Sequence, residues 1–201
     1  MTAVADPGLS IVLPGNWTQM DMNDLAEPTF VDAAVGRALE STPELESLRE
    51  PLVAYATAAA TAARDQGVAF AAVLVDIADD ATVPVVASLS VAFATGAVGT
   101  EGRGADDGPP DEPEKPAGAD RGITETTSVS LPCGPAARLE RTYDPGASAG
   151  QPQQMSYSVQ YVVEVPNSER VAVLTFSSPM LGMREGLNEA FDHVAQSVRF
   201  E

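Results

Sequence analysis

Apolar and polar positions alternate most cleanly in MSYSVQYVVEV, residues 155–165. Tyr157, Val159, Tyr161, Val163 and Val165 fall on one side of an extended chain, and Ser158, Gln160 and Glu164 on the other. A period of two predicts a half-buried β-strand. The turn PNSER then leads into VAVLTFSS, so the two runs predict a hairpin. Upstream, residues 68–95 form two nearly continuous Val- and Leu-rich runs joined at DIADDATVP, the pattern of central strands paired as neighbours. ITETTSVSLPCGPAARLERTYD predicts two more strands, broken at PCGP. SIVLPGNW predicts a short first strand that stops at Pro14-Gly15.

Helical spacing takes over in three places. PTFVDAAVGRALES predicts a helix with Thr29 as cap and Asp32 three residues later. STPELESL predicts a second start, with Thr42 as cap, Pro43 at the first helical position, and Glu44 and Glu46 at the positive helix end. Leu45, Leu48, Leu52, Tyr55, Ala59 and Ala62 continue it on one face as far as Gly67. Pro51 inside this stripe predicts a kink or a split, because it lacks a donor and collides with the preceding turn. Near the end of the chain, Met183, Leu187, Ala190, Phe191, Val194 and Val198 share one side of a helix, with His193 on the flank and Glu189 opposite. Gly182 and Gly186 weaken its first turns, so the firm helix is expected only from about Arg184.

Between the two central strands and the next pair the pattern vanishes. Residues 98–122 are dense in Gly, Pro, Asp and Glu and almost free of bulky apolar groups. Such a segment cannot offset its ordering entropy by burial, and it reads as a disordered acidic insert within a single domain spanning residues 1–201. The resulting fold class is α+β: an antiparallel sheet of about six strands with helices packed on its faces. A chain of 201 residues buries roughly 70% of its unfolded surface, enough for a real core.

Charge narrows the functions. Twenty-nine acidic and 11 basic residues give a formal net charge of -18, and Lys115 is the only lysine. Nucleic-acid binding needs clustered cations, so neither nucleic acid nor an anionic membrane surface is an expected partner. Residues 81–98 are uncharged for nearly the length of a membrane span. Pro84, the small and hydroxylated residues, and the flanking Asp79 and Asp80 fit a buried strand instead. The start has neither a basic region nor an adequate apolar stretch, which predicts no signal peptide and a cytoplasmic location.

Catalytic residue types are scarce. Cys133 is the only cysteine and His193 the only histidine, so a thiol-imidazole pair could come only from these two. Cys133 sits in a turn and His193 on the flank of a packing helix, so no catalytic or cofactor-binding residue is assigned. A zinc site would lack two ligands. DIADD and DDGPPDEPE lack the spaced oxygens and glycine of a calcium loop, and GTEGRG lacks the lysine and helix of a phosphate loop. No metal or cofactor is expected. Trp17, Tyr157 and Tyr161 are the candidate partner-binding residues, since aromatics are enriched at binding hot spots, although Trp17 packed under the first turn is the simpler account.

LPGNW at 13–17, VAVLTFSSP at 171–179 and LNEAFDHVAQSVRF at 187–200, set in this order of elements, together resemble the PsbP-like superfamily. That superfamily includes the photosystem extrinsic subunit, Ran-binding Mog proteins, Lpq-type lipoproteins and the Eag chaperones of type VI secretion. The resemblance implies an α/β/α sandwich and a protein- or peptide-binding module, a chaperone or adaptor linked to secretion, rather than an enzyme. No shared catalytic motif carries over. The chain departs from the lipoproteins in having no lipobox, and the acidic insert has no counterpart. The alternatives are a thiol-dependent enzyme using Cys133 and His193, and a structural subunit of a secretion or envelope complex.

Overall fold

The computed structural model describes residues 2–5, 8–15, 17–20, 28–40, 43–65, 67–77, 84–95, 125–143 and 155–200. The expected acidic insert at 98–122 and most of both acidic calcium candidates lie outside them. The elements are β1 (Thr2–Ala5), β2 (Leu9–Val12), β3 (Trp17–Met20), α1 (Pro28–Glu40), a 3-10 turn (Pro43–Leu48), α2 (Arg49–Asp65), β4 (Phe70–Ile77) and β5 (Pro84–Thr95). They continue with β6 (Glu125–Leu131), β7 (Gly134–Tyr143), β8 (Ser156–Glu164), β9 (Arg170–Ser178), a 3-10 turn (Leu181–Met183), α3 (Arg184–Gln196) and β10 (Arg199–Phe200).

Seven strands form one antiparallel sheet in the order β3-β4-β5-β9-β8-β7-β6, and β1-β2-β10 form a small second sheet. The two expected hairpins are present as β4-β5 and β8-β9, and the two strands expected on either side of PCGP also pair, as β6-β7. Within the uncharged run at 81–98, Pro84–Thr95 form β5, hydrogen-bonded to β4 on one side and β9 on the other. Among the described residues no helix is long and apolar enough to cross a membrane.

Two cores divide the molecule. On the first face of the large sheet, the inward residues of β8 and β9 meet Leu187, Phe191 and Val194 of α3, and Leu9, Ile11 and Leu13 from the small-sheet side. Phe176 lies at the centre, stacked on Phe191 at 4.8 Å and edge-on to Tyr161 and Trp17. The second face carries Val31, Val35 and Leu39 of α1 and Leu52, Ala56 and Ala60 of α2, which pack on Met20, Ala71, Val73, Val75 and Val86. The chain is therefore an α+β protein with helices on both faces of its main sheet.

Local signals mostly act where they stand. Pro51 splits the second helical stretch: a 3-10 turn ends at Leu48 and α2 starts at Arg49. Pro51 thus sits in the first turn, where a backbone donor has no helical partner. Gly67 follows α2 in the left-handed conformation, at φ 64°, and Asn167 takes the same region, at φ 58°, in the β8-β9 turn. α3 begins at Arg184, after a 3-10 turn that holds Gly182. Ser197 closes it by donating to Val194 O at 2.7 Å and accepting from Val12 N at 3.0 Å, which ties the helix end to β2.

One expectation needs correction. Thr29 is inside α1 rather than capping it, because Pro28 with its fixed φ takes the first helical position. The main sheet has seven strands among the described residues, in keeping with the expected sheet of about six, and β1, β2 and β10 form the small second sheet.

Candidate functional site

Polar chemistry gathers first where α3 crosses β7 and β8. The register pairs Arg138 with Tyr161 and Glu140 with Val159, so both β7 charges point to the same face as the β8 core residues. Arg184, Asn188 and Asp192 recur every four residues along one flank of α3 and close over them. Arg138 Nη1 donates to Glu140, and Arg184 Nη2 donates to the other oxygen of Glu140. Arg138 Nη2 reaches Asn188 Oδ1 at 3.0 Å, and its Nε is shared between the Tyr161 hydroxyl at 3.1 Å and Asp192 at 3.2 Å. The Tyr157 hydroxyl donates to Asn188 Oδ1 at 2.6 Å, and the Tyr161 hydroxyl donates to Asp192. Side-chain exposure is 14% for Arg138 and 10% for Glu140.

The electrostatics follow from this pairing. Burial works against the charge on Glu140, but its hydrogen bonds to Arg138 and Arg184 outweigh that and hold its carboxyl below the usual range. Burial and the neighbouring Asp192 push the Tyr161 phenol well up; burial and Glu140 do the same, more weakly, for Tyr157. Every member has a partner, and opposite charges are matched. The arrangement pins α3 to the sheet.

The second face of the sheet is covered unevenly. α1 and α2 lie over β3, β4 and β5, whereas β9, β8, β7 and β6 have no helix above them among the described residues. The register lines up Arg141, Ser158, Ser177 and Ser88 in one row; Leu139, Gln160, Thr175 and Ser90 in the next; and Ala137, Val162, Val173 and Ala92 in a third. Most of these residues are half-buried, and Thr126, Ser128 and Ser130 of β6 are exposed. Tyr55 of α2 reaches across the boundary, its hydroxyl near Ser88 Oγ at 3.4 Å and Ser177 O at 3.2 Å. Arg141 Nη2 donates to Gln160, while its Nε is buried without a hydrogen-bond partner. The result is a platform of small hydroxyl and aliphatic side chains ending at β6, beyond which no strand lies among the described residues.

A shallow groove of about 570 Å³ lies between α1 and the first 3-10 turn, lined by Gly36, Arg37, Glu40, Pro43, Glu46 and Arg49. Gly36 leaves room for the Arg49 guanidinium, which bonds to Asp32 and Glu46. These exposed pairs define no ligand geometry.

Trp17, Tyr157 and Tyr161 are 5%, 0% and 1% exposed, so their rings belong to the core and offer no surface to a partner. That corrects their reading as contact residues: the β8 period marks the inward face, and β3 turns Trp17 under it. Cys133 lies half-buried in the β6-β7 turn and His193 is exposed on α3. No hydrogen bond joins them among the described residues. Burial pushes the Cys133 thiol up, with Arg199 pulling weakly the other way, which is the opposite of an activated nucleophile. Among the described residues no group of three or more His, Cys, Asp or Glu could hold a metal ion.

His193→Ala is therefore expected to change stability by no more than about 0.5 kcal/mol, as for an ordinary surface substitution. Thermal melting of the variant checks this, and a large loss would mean that His193 has a buried role.

Sequence reasoning missed Arg138, Glu140, Asn188 and Asp192. The signal was the four-residue polar repeat beside the apolar stripe of α3. No family model, curated protein or solved structure matches this chain.

Proposed function

We propose that the chain is a non-enzymatic binding module for a protein or peptide partner, of the chaperone or adaptor kind and PsbP-like in architecture. The observation that carries this reading is the uneven cover of the sheet. Helices close half of one face, and the adjoining half, from β9 to β6, presents half-buried Leu139, Val162 and Val173 among hydroxyl groups. Partly exposed aliphatic surface ringed by polar groups suits a protein contact. The raised Cys133 thiol and the fully paired charge network support binding over catalysis. The acidic charge weighs against nucleic acid.

The test is quantitative capture from native lysate with three baits: the intact chain, Val162→Arg on the platform and Glu189→Arg on α3, each first shown to melt like the intact chain. Specific partners are expected to be lost with Val162→Arg and kept with Glu189→Arg. Equal capture by all three baits, or none by any, would overturn the reading.

A further inference from the structure

We infer that the partner docks as an extended, basic segment hydrogen-bonded along the outer edge of β6, adding a strand to the large sheet. This rests on the reading of the chain as a binding module and names the partner's chemistry.

β6 ends the sheet order and pairs with β7 over its full length, while no strand lies on its other side among the described residues. Such an edge offers a row of backbone donors and acceptors, and proteins normally guard it with proline, lysine, a bulge or a cover. Beyond Glu125 at its start, β6 has none of the sequence guards. Its pairing runs without a bulge, and from Thr126 to Leu131 it carries no proline and no charge. Thr126 to Ser128, together with Ser130, are exposed, so beyond Glu125 an incoming backbone meets small side chains only. Thr126, Thr127 and Val129 are β-branched and favour the extended form that strand addition requires.

Charge selects the occupant. A second copy would bring the same -18, which opposes self-pairing, whereas a cationic segment is attracted. The stretch that leads into β6, residues 98–122, has seven acidic and three basic residues, and the described chain resumes at Glu125. Arg138 does not cancel this charge, because Glu140 and Asp192 already engage it. Arg141, one residue beyond the β6 pairing, offsets one charge at most.

The experiment is an amide-resolved NMR titration of the full chain with three end-blocked peptides the length of β6. One alternates threonine with lysine, the second has glutamate for lysine, and the third is the lysine peptide N-methylated at alternate amides. The lysine peptide is expected to shift and protect the amides of residues 125–131. It should bind at least about tenfold more tightly than the glutamate peptide and weaken with salt. N-methylation and Ser128→Lys, an exposed change that does not threaten folding, should each abolish or weaken binding about tenfold. The inference is overturned if the glutamate peptide binds as well, if the shifts fall outside β6, if no peptide binds, or if β6 pairs with a second copy instead. Should Val162→Arg still strip partners from the lysate while no peptide reaches β6, the docking mode falls and the binding reading stands.

Discussion

Phe191→Ala is expected to destabilise the chain by about 3 to 5 kcal/mol, the range for removing a buried aromatic ring from a packed core. Phe191 is fully buried, and its ring stacks on Phe176, which in turn meets Trp17 and Tyr161 edge-on. The void would open between α3 and the sheet, beside the Phe176 ring that Tyr161 of β8 and Trp17 of β3 also meet. In a domain of this size the loss corresponds to a fall in melting temperature of roughly 10 °C. Phe191→Leu, which refills most of the volume, should recover a large part of it. Thermal unfolding of the two variants beside the parent checks both statements. A fall of under about 2 °C for Phe191→Ala would mean that α3 is not seated as described.

Glu140→Ala is the second large effect, with an expected cost of about 1.5 to 3 kcal/mol at neutral pH, the range for losing hydrogen bonds to charged groups. Arg138 would keep Asp192, Asn188 and Tyr161, while Arg184 would lose its anchor and swing into solvent. The pH dependence has a definite sign. Glu140 has a depressed carboxyl in the folded chain, so its contribution is complete above the ordinary glutamate value of about 4.3 and drains away as the pH falls through the lower folded value. Glu140→Gln should therefore flatten the acid limb of the stability curve as well as lower its plateau. Denaturant unfolding between pH 3 and 7 reads both effects, and identical acid limbs in variant and parent would show that the carboxylate is not held by the arginines.

The legible part of the fold was its periodicity. Alternation in residues 155–165 marked which side of β8 faces inward, and every residue it assigned to that side is buried. The apolar stripe of α3 and its late start at Arg184 followed from spacing and from two glycines. Pairing was less legible. Nothing local says that β5 lies against β9, or that Arg199 and Phe200 return to β2, because those contacts join residues far apart in the chain. The charge network stayed hidden for a related reason. Arg138 and Glu140 look like solvent-facing positions on a strand until the polar flank of α3 is placed over them. The aromatic candidates failed as contact residues because a tyrosine in an alternating strand signals packing first. Their hydroxyls are spent on Asn188 and Asp192.

The open half of the sheet was legible only as an imbalance. Seven apolar positions of α1 and α2 pack with residues of β3, β4 and β5, in a cluster that includes none from β7 or β8. Ser158, Gln160 and Glu164 read as a polar face, which is what the structure has there, yet Ser158 is buried.

Site-specific photo-crosslinking in the source cells tests the binding reading most directly. A benzophenone side chain at Val162 on the platform is compared with one at Glu189 on the exposed side of α3. Discrete higher-mass adducts from position 162 and none from 189 is the predicted result; equal adducts from both, or none from 162, would contradict the assignment of the open sheet face as the binding surface.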